Sequence, residues 1–274
     1  MNKLTPILKW AGGKRQLLHA IVPLVPTEYD CYYEPFVGAG AVLLDLQPSK
    51  AIANDTNEEL INVYNIIKKQ PDELIYLLKE YEKLHCEEFY YKLRAVDRDE
   101  ERFSQMTALY KAARTIYLNR TCYNGLYRVN SKGYFNTPMG RNSSIQIVNE
   151  KGICGISEFL NRASVTFLNQ DYKQVLESVT SDDFVFLDPP YYPTNKDSFL
   201  RYDMSPFGIQ EQKVLKEKCD ELNDKGVRFI ETNSDCEEIR ELYSNYRLIE
   251  VDVRRCINAK VNGRRGKELI ICNY

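Results

Sequence analysis

The sequence predicts an α/β fold in which a mostly parallel sheet carries helices on both faces and is interrupted by a mainly helical insertion. Three observations carry that prediction. Short apolar, strand-like runs alternate with helical patterns towards both ends of the chain. A glycine turn, Gly38-Ala39-Gly40, follows the first such run. Between residues 58 and 150 the strand signals stop, and apolar residues recur at three- and four-residue spacing instead. The expected division is a sheet domain made of 1–57 and 151–274, with 58–150 inserted into it.

In chain order, residues 9–13 read as a loop and 14–22 as a helix. Residues 32–36 read as a strand, 41–46 as the first turns of a helix, and 51–53 as a second strand ending at Asn54-Asp55. In the insertion, Leu60, Val63, Tyr64 and Ile67, then Leu74, Leu77, Leu78 and Tyr81, mark amphipathic helices, and 112–118 marks another. Residues 123–140 interleave Gly125, Gly133, Pro138 and Gly140 with aromatics, as in a loop or hairpin. Strands return at 165–168, 184–187, 227–231, 248–253 and 269–272, with a helix over 210–223. The last two strands have no helical pattern between them, which fits an antiparallel pair at the sheet edge.

Composition narrows the function classes. The 274 residues suffice for one large domain, or one domain with a substantial insertion. No apolar run approaches the roughly 18 residues that would cross a bilayer. The first residues lack the apolar core of a secretory signal, so a cytoplasmic protein is expected. Eight cysteines without a CxxC pair, and only His19 and His85, argue against a metal site. They also give little support to Cys/His or Ser/His nucleophilic schemes. The net charge of −2 is uninformative, but its distribution is not. Residues 102–149 contain no Asp or Glu, yet hold Arg102, Lys111, Arg114, Arg120, Arg128, Lys132 and Arg141. Residues 254–266 repeat the pattern with Arg254, Arg255, Lys260, Arg264 and Arg265. Such segregation predicts a positive face suited to a polyanion.

The sharpest chemical signal is Asp188-Pro189-Pro190-Tyr191, directly after the apolar strand Phe184-Val185-Phe186-Leu187. Ligands of open α/β sheets bind at the carboxyl ends of strands. Two prolines fix an extended course and remove two N–H donors, so carbonyls there are free to accept from elsewhere. A carboxylate beside such a carbonyl offers paired acceptors for an –NH₂ group, and Tyr191 offers a ring on which a planar base stacks. A second signal is Glu34-Pro35-Phe36-Val37-Gly38-Ala39-Gly40. Its glycines permit close ligand approach at a helix start, although GxG is short of the GxGxxG dinucleotide pattern. Asp55, seventeen residues past Gly38, suits an acid that bonds ribose hydroxyls; by itself it reads as a cap for a helix over 56–68. A third is Lys9-Trp10-Ala11-Gly12-Gly13-Lys14, which lacks P-loop spacing. Its lone tryptophan suits either a core role or a face beside a sulfonium cation. The fourth, residues 120–128, places Arg120 and Arg128 with Tyr123, Asn124, Leu126 and Tyr127 on one loop, suited to groove reading or to core packing.

Together these motifs resemble the Dam-type adenine-N6 DNA methyltransferases, including the modification enzymes of GATC-specific restriction systems. The resemblance runs from Trp10 to Asn273. It implies a Rossmann-like class I methyltransferase fold with S-adenosylmethionine as cofactor. It implies that Trp10, Lys14, Phe36, Gly38, Gly40, Asp55, Asp171 and Asp188 contact that cofactor. Asp188 and the Pro189 carbonyl would hold the target amine, with Pro190 and Tyr191 completing the catalytic turn. Lys9, Tyr123, Asn124, Leu126, Arg128 and Pro138 fall on positions that touch DNA in the family. The implied partner is double-stranded DNA at GATC, with no membrane and no metal. A monomer or weak dimer on DNA is expected, and a cognate restriction endonuclease of the same site fits the restriction-modification relatives. Departures are Asn142 in place of a frequent tyrosine, Thr232-Asn233-Ser234 in place of a serine-asparagine pair, and Ala39 in place of a glycine. Read from the residues alone, methylation of cytosine N4, RNA adenine or a protein glutamine remains open. So does a non-catalytic DNA-binding regulator.

Overall fold

The structure is a computed structural model that describes residues 3–141, 146–193, 207–254 and 265–274. In chain order its elements begin with α1 (Leu18–Ile21), β1 (Tyr32–Glu34), α2 (Ala41–Leu46), β2 (Lys50–Asn54), α3 (Glu58–Lys69) and α4 (Pro71–Lys83). There follow α5 (Glu87–Arg94), α6 (Glu100–Gln105), α7 (Ala108–Thr121), α8 (Glu150–Arg162), β3 (Ser164–Leu168) and α9 (Tyr172–Glu177). The chain closes with β4 (Phe184–Leu187), α10 (Ile209–Asp224), β5 (Arg228–Ser234), α11 (Glu237–Leu242), β6 (Arg247–Arg254) and β7 (Arg265–Cys272). Two compact units divide it: residues 1–13, 38–47 and 55–169, and residues 14–37, 48–54 and 170–274.

The second unit contains the sheet. Its strands lie in the order β2-β1-β4-β5-β7-β6. Pairs β1–β2, β1–β4 and β4–β5 are parallel, whereas β5–β7 and β6–β7 are antiparallel. All four residues of β4 are fully buried, as the unbroken apolar run of a parallel strand covered on both faces requires. The chain leaves β1 for β2 on one side and returns to β4 on the other. The strand order therefore reverses between β1 and β4, and the crevice at their carboxyl ends is where such sheets bind ligands. Phe36 follows β1 and Asp188 follows β4. On α10 the buried positions Gln212, Leu215, Cys219 and Leu222 form one stripe at three- and four-residue spacing.

The first unit is mainly helical, with β3 its only strand among the described residues. Helix α7 is its centre: Ala112, Ala113, Ile116, Tyr117 and Asn119 are all fully buried. Past α7, antiparallel bridges between Cys122 and Met139 and between Val129 and Phe135 fold this stretch as a hairpin, one of the two forms expected for 123–140.

Several local expectations need correction. Residues 14–22 are not one helix: a 3-10 turn Lys14–Gln16 and another at Val22–Leu24, containing Pro23, flank the short α1. β1 stops at Glu34 because Pro35 has no N–H to continue the ladder. The last two strands do pair antiparallel, yet β7 lies inside the sheet and only β6 is at its edge. Arg114 is not part of a positive face. It is buried, ion-paired to Asp97 at 2.7 Å, and bonded to the Leu93 carbonyl. The basic stretch 254–266 and the Asn142 departure fall mostly outside the described residues.

Candidate active site

In the second unit, Asp188 emerges from the buried end of β4 and is met from two directions. Lys14 Nζ lies 2.6 Å from its Oδ1, an ion pair with side chains only 5% and 17% exposed. The Thr232 hydroxyl, on the adjacent β5, donates to the same Oδ1 at 2.8 Å. Neither bond uses Oδ2. Burial pushes the Asp188 carboxyl above its ordinary range, while the Lys14 ammonium and the Thr232 hydroxyl oppose that rise by favouring the charged form. Lys14 also lies 4.4 Å from the centroid of the Tyr191 ring, and the Tyr191 hydroxyl donates to Glu268 on β7 at 2.8 Å. The turn thus holds a carboxylate, the Pro189 carbonyl and an aromatic ring, with a buried cation between acid and ring.

The turn's backbone has its own supports. Gln212 Nε2 donates to the Pro190 carbonyl at 2.9 Å, Tyr192 N donates to Asn233 Oδ1 at 3.3 Å, and the Ser234 hydroxyl donates to the Tyr192 carbonyl at 2.6 Å. Near the end of β1, the Phe36 ring packs against Tyr172 and Phe207, with centroids 5.0 and 5.8 Å away. Asp171 caps α9 by accepting from Lys173 N at 2.9 Å.

In the first unit, Gly38 and Gly40 adopt left-handed φ angles of +48° and +65°, which glycine tolerates at little cost. A Cβ on Gly38 would stand 3.2 Å from Trp10 Cδ1, so the bare backbone lets the indole approach. Trp10 stacks on Tyr127 at 4.7 Å. Asp55 Oδ2 accepts from Gly38 N at 3.1 Å, and its Oδ1 accepts from Asn57 N at 2.9 Å. It is not the cap of the following helix. That role falls to Asn57, which accepts from Leu60 N. Burial raises the Asp55 carboxyl above its usual range, against two backbone N–H bonds.

The same unit gathers the residues expected at DNA. The buried Asn119 side chain accepts from Lys9 N and donates to the Lys9 carbonyl, both at 2.8 Å, and also reaches the Gly125 carbonyl at 3.2 Å. The Lys9 side chain runs over Gly125, where a Cβ would meet Lys9 Cδ. Tyr123 N donates to the Pro138 carbonyl at 2.9 Å, drawing those two positions together. Asn124, at φ +56°, and Tyr123 are exposed, and Leu126 is half-buried. Arg128 is exposed and donates to Asn136 Oδ1 at 2.8 Å.

Sequence reasoning missed Thr232, Glu268, Gln212, Asn233 and Asn119. One signal was present: Gln212 continues the stripe of Leu215, Cys219 and Leu222, where an apolar residue is the default. Thr232-Asn233-Ser234 stands where a serine-asparagine pair is usual in the family. All three side chains are buried and face the Asp188–Tyr192 turn or its neighbours.

A mostly parallel sheet closed by an antiparallel pair, with an acid-Pro-Pro-Tyr turn at the carboxyl end of a central strand, is consistent with a class I methyltransferase fold. The chain belongs to the D12 class N6 adenine-specific DNA methyltransferases, whose family model matches residues 10–257. It is 40% identical to the type II methyltransferase M1.LlaDCHI of Lactococcus lactis subsp. cremoris over 99% of this chain and 96% of that protein. It is 37% identical to the type II methyltransferase M.MjaIII of Methanocaldococcus jannaschii over 99% and 100%. To the DNA adenine methylase of Escherichia coli K12 it is 32% identical over 100% and 96%. Membership decides for an adenine-specific DNA methyltransferase over cytosine N4, RNA or protein methylation and over a non-catalytic regulator. Among the described residues no cluster could hold a metal ion, and no helix is long and apolar enough to cross a membrane.

Proposed function

We propose that this enzyme methylates the N6 amine of adenine in GATC sites of duplex DNA, using S-adenosylmethionine, on a base extruded from the helix. The observation that carries the reading is Asp188: among the described residues its two side-chain bonds, from Lys14 and Thr232, both fall on Oδ1, and we assign Oδ2 to the ligand amine. Oδ2 and the Pro189 carbonyl each accept one amine hydrogen and so turn the nitrogen lone pair out of conjugation. Extrusion is required because the amine is out of reach inside the base stack. Tyr191, with Lys14 against one side of its ring, offers the other as a stacking face for the purine. The carboxylate and the carbonyl dipole stabilise the positive charge that develops on the amine nitrogen.

The donor set fits the cofactor. The bare left-handed turn at Gly38 lets the Trp10 ring approach where a side chain would crowd it, Asp55 suits a hydroxyl-rich ribose, and the Trp10 ring suits a sulfonium. When bound, S-adenosylmethionine supplies an electrophilic methyl group. We assign Trp10, Lys14, Phe36, Gly38, Gly40, Asp55, Asp171 and Asp188 to holding it. Lys9, Tyr123, Asn124, Leu126, Arg128 and Pro138, within the recognition segment 58–150 and the preceding loop, are assigned to DNA. GATC rests on the resemblance to Dam-type enzymes, and a cognate endonuclease on the type II names of two relatives.

The test is Asp188→Ala with tritiated S-adenosylmethionine and duplexes that either carry GATC or have it scrambled. The native enzyme should label only the GATC duplex, and the variant should bind DNA without labelling it. Undiminished turnover by the variant sinks the catalytic assignment, and equal labelling of both duplexes sinks the site.

A further inference from the structure

We propose that the side-chain amides of Gln212 and Asn233 form a clamp that sets the pose of Tyr191, making both positioning residues for methyl transfer. The inference rests on reading Asp188–Tyr191 as the catalytic turn. Pro189 and Pro190 have no N–H, so the carbonyls and the N–H groups of Tyr191 and Tyr192 are left to anchor this stretch of backbone. The clamp takes two of those groups, one on each side of Tyr191. Gln212 Nε2 holds the carbonyl of the peptide before Tyr191, and Asn233 Oδ1 holds the N–H of the peptide after it.

The two amides are joined: Asn233 Nδ2 donates to Gln212 Oε1 at 3.0 Å. That bond gives the relay one polarity. Gln212 accepts from Asn233 and therefore presents its donor to Pro190; a flipped amide would set oxygen against oxygen. Asn233 is locked in turn, since its Nδ2 also donates to Glu231 Oε1 and its Oδ1 also accepts from Ser234 N. Both amides are fully buried, so neither trades these bonds for water. A buried polar relay is a costly way to fill a helix stripe and a sheet interior. What it provides here is a fixed orientation for both peptides flanking one aromatic ring. A small loss of alignment at a reacting centre costs far more rate than affinity.

The test uses the full chain with two substitutions. Gln212→Met keeps the volume but removes donor and acceptor, while Gln212→Asn keeps the amide but is one methylene too short to reach Pro190. Each is characterised by thermal melting, by KM for a GATC duplex, by kcat, and by the fluorescence of 2-aminopurine at the target position. Expected in whichever variant folds is a fall in kcat of about tenfold to a hundredfold. KM should stay within about twofold, and the 2-aminopurine signal should change as its stacking on Tyr191 loosens. A folded variant with native kcat and native 2-aminopurine signal overturns the clamp. Asp188→Ala is run alongside: if it is inactive while the Gln212 variants are native, the clamp alone is wrong, and if it is active, the catalytic turn itself is misassigned.

Discussion

Replacing Thr232 by valine removes one hydroxyl from a fully buried position and leaves the side-chain shape almost unchanged. That hydroxyl donates to Asp188 Oδ1 at 2.8 Å. A hydrogen bond to an ionised group contributes about 1.5–3 kcal/mol. At about 1.4 kcal/mol per factor of ten, its loss lowers the population of the charged form about tenfold to 150-fold wherever that form is in the minority. The sign follows from the environment of the acid. Burial already holds the Asp188 carboxyl above its ordinary range, and Thr232 is one of the two groups pulling it down. Without the hydroxyl the carboxyl rises further. In the role proposed for Asp188 methyl transfer needs the carboxylate, so its rate should fall on the acidic limb of the pH profile and recover towards the native rate once the acid is ionised in both enzymes. The assay is single-turnover transfer of a tritiated methyl group to a GATC duplex across the pH range in which both proteins stay folded. A deficit of the same size at every pH refutes the reasoning, because it assigns Thr232 to alignment rather than ionisation. A native rate on the acidic limb refutes it equally.

Three further outcomes follow from the same geometry. Gly38→Ala forces a non-glycine residue into the left-handed region, at about 1–2 kcal/mol, and brings a methyl group against Trp10. S-adenosylmethionine affinity, read by calorimetry, should drop about tenfold or more, and native affinity would remove the loop from the cofactor site. Asn119→Ala frees the Lys9 backbone and the Gly125 carbonyl, so duplex affinity by fluorescence anisotropy should fall about tenfold with cofactor affinity kept; the reverse pattern contradicts the assignment. Glu231 is fully buried, and burial pushes its carboxyl up to about 7 from 4.5, so the folded state holds a proton that the unfolded chain releases. Stability should therefore decline as pH rises from about 4.5 to about 7 and level off above, by a total of about 3 kcal/mol. Glu231→Gln should flatten that dependence in thermal melts at successive pH values, and an unchanged slope would place its origin elsewhere.

What could be read from the sequence was whatever is decided by neighbours along the chain. The β4 run followed by two prolines specifies a buried strand and an abrupt stop, and both ends of β4 lie where the residues place them. Helix α2 likewise spans the expected residues, because its start is set by the adjacent Gly40. Local reasoning failed where a neighbour competed or a partner was distant. Asp55 is well placed to cap α3, but Asn57 takes the cap and Asp55 turns to Gly38. Arg114 counts as a surface charge in any tally along the chain, yet Asp97 draws it into the interior. The turn at 188–191 shows the same division within one motif. Its own residues disclose which acceptors an amine would meet. Its electrostatics are set by Lys14, 174 positions earlier, and by Thr232, 44 positions later. Because both bind the same oxygen, they favour the charged form of the carboxylate and also decide which of its oxygens is engaged within the protein. No motif of four residues encodes that choice, so variants that leave the turn intact and alter its distant partners are the ones that separate ionisation from alignment.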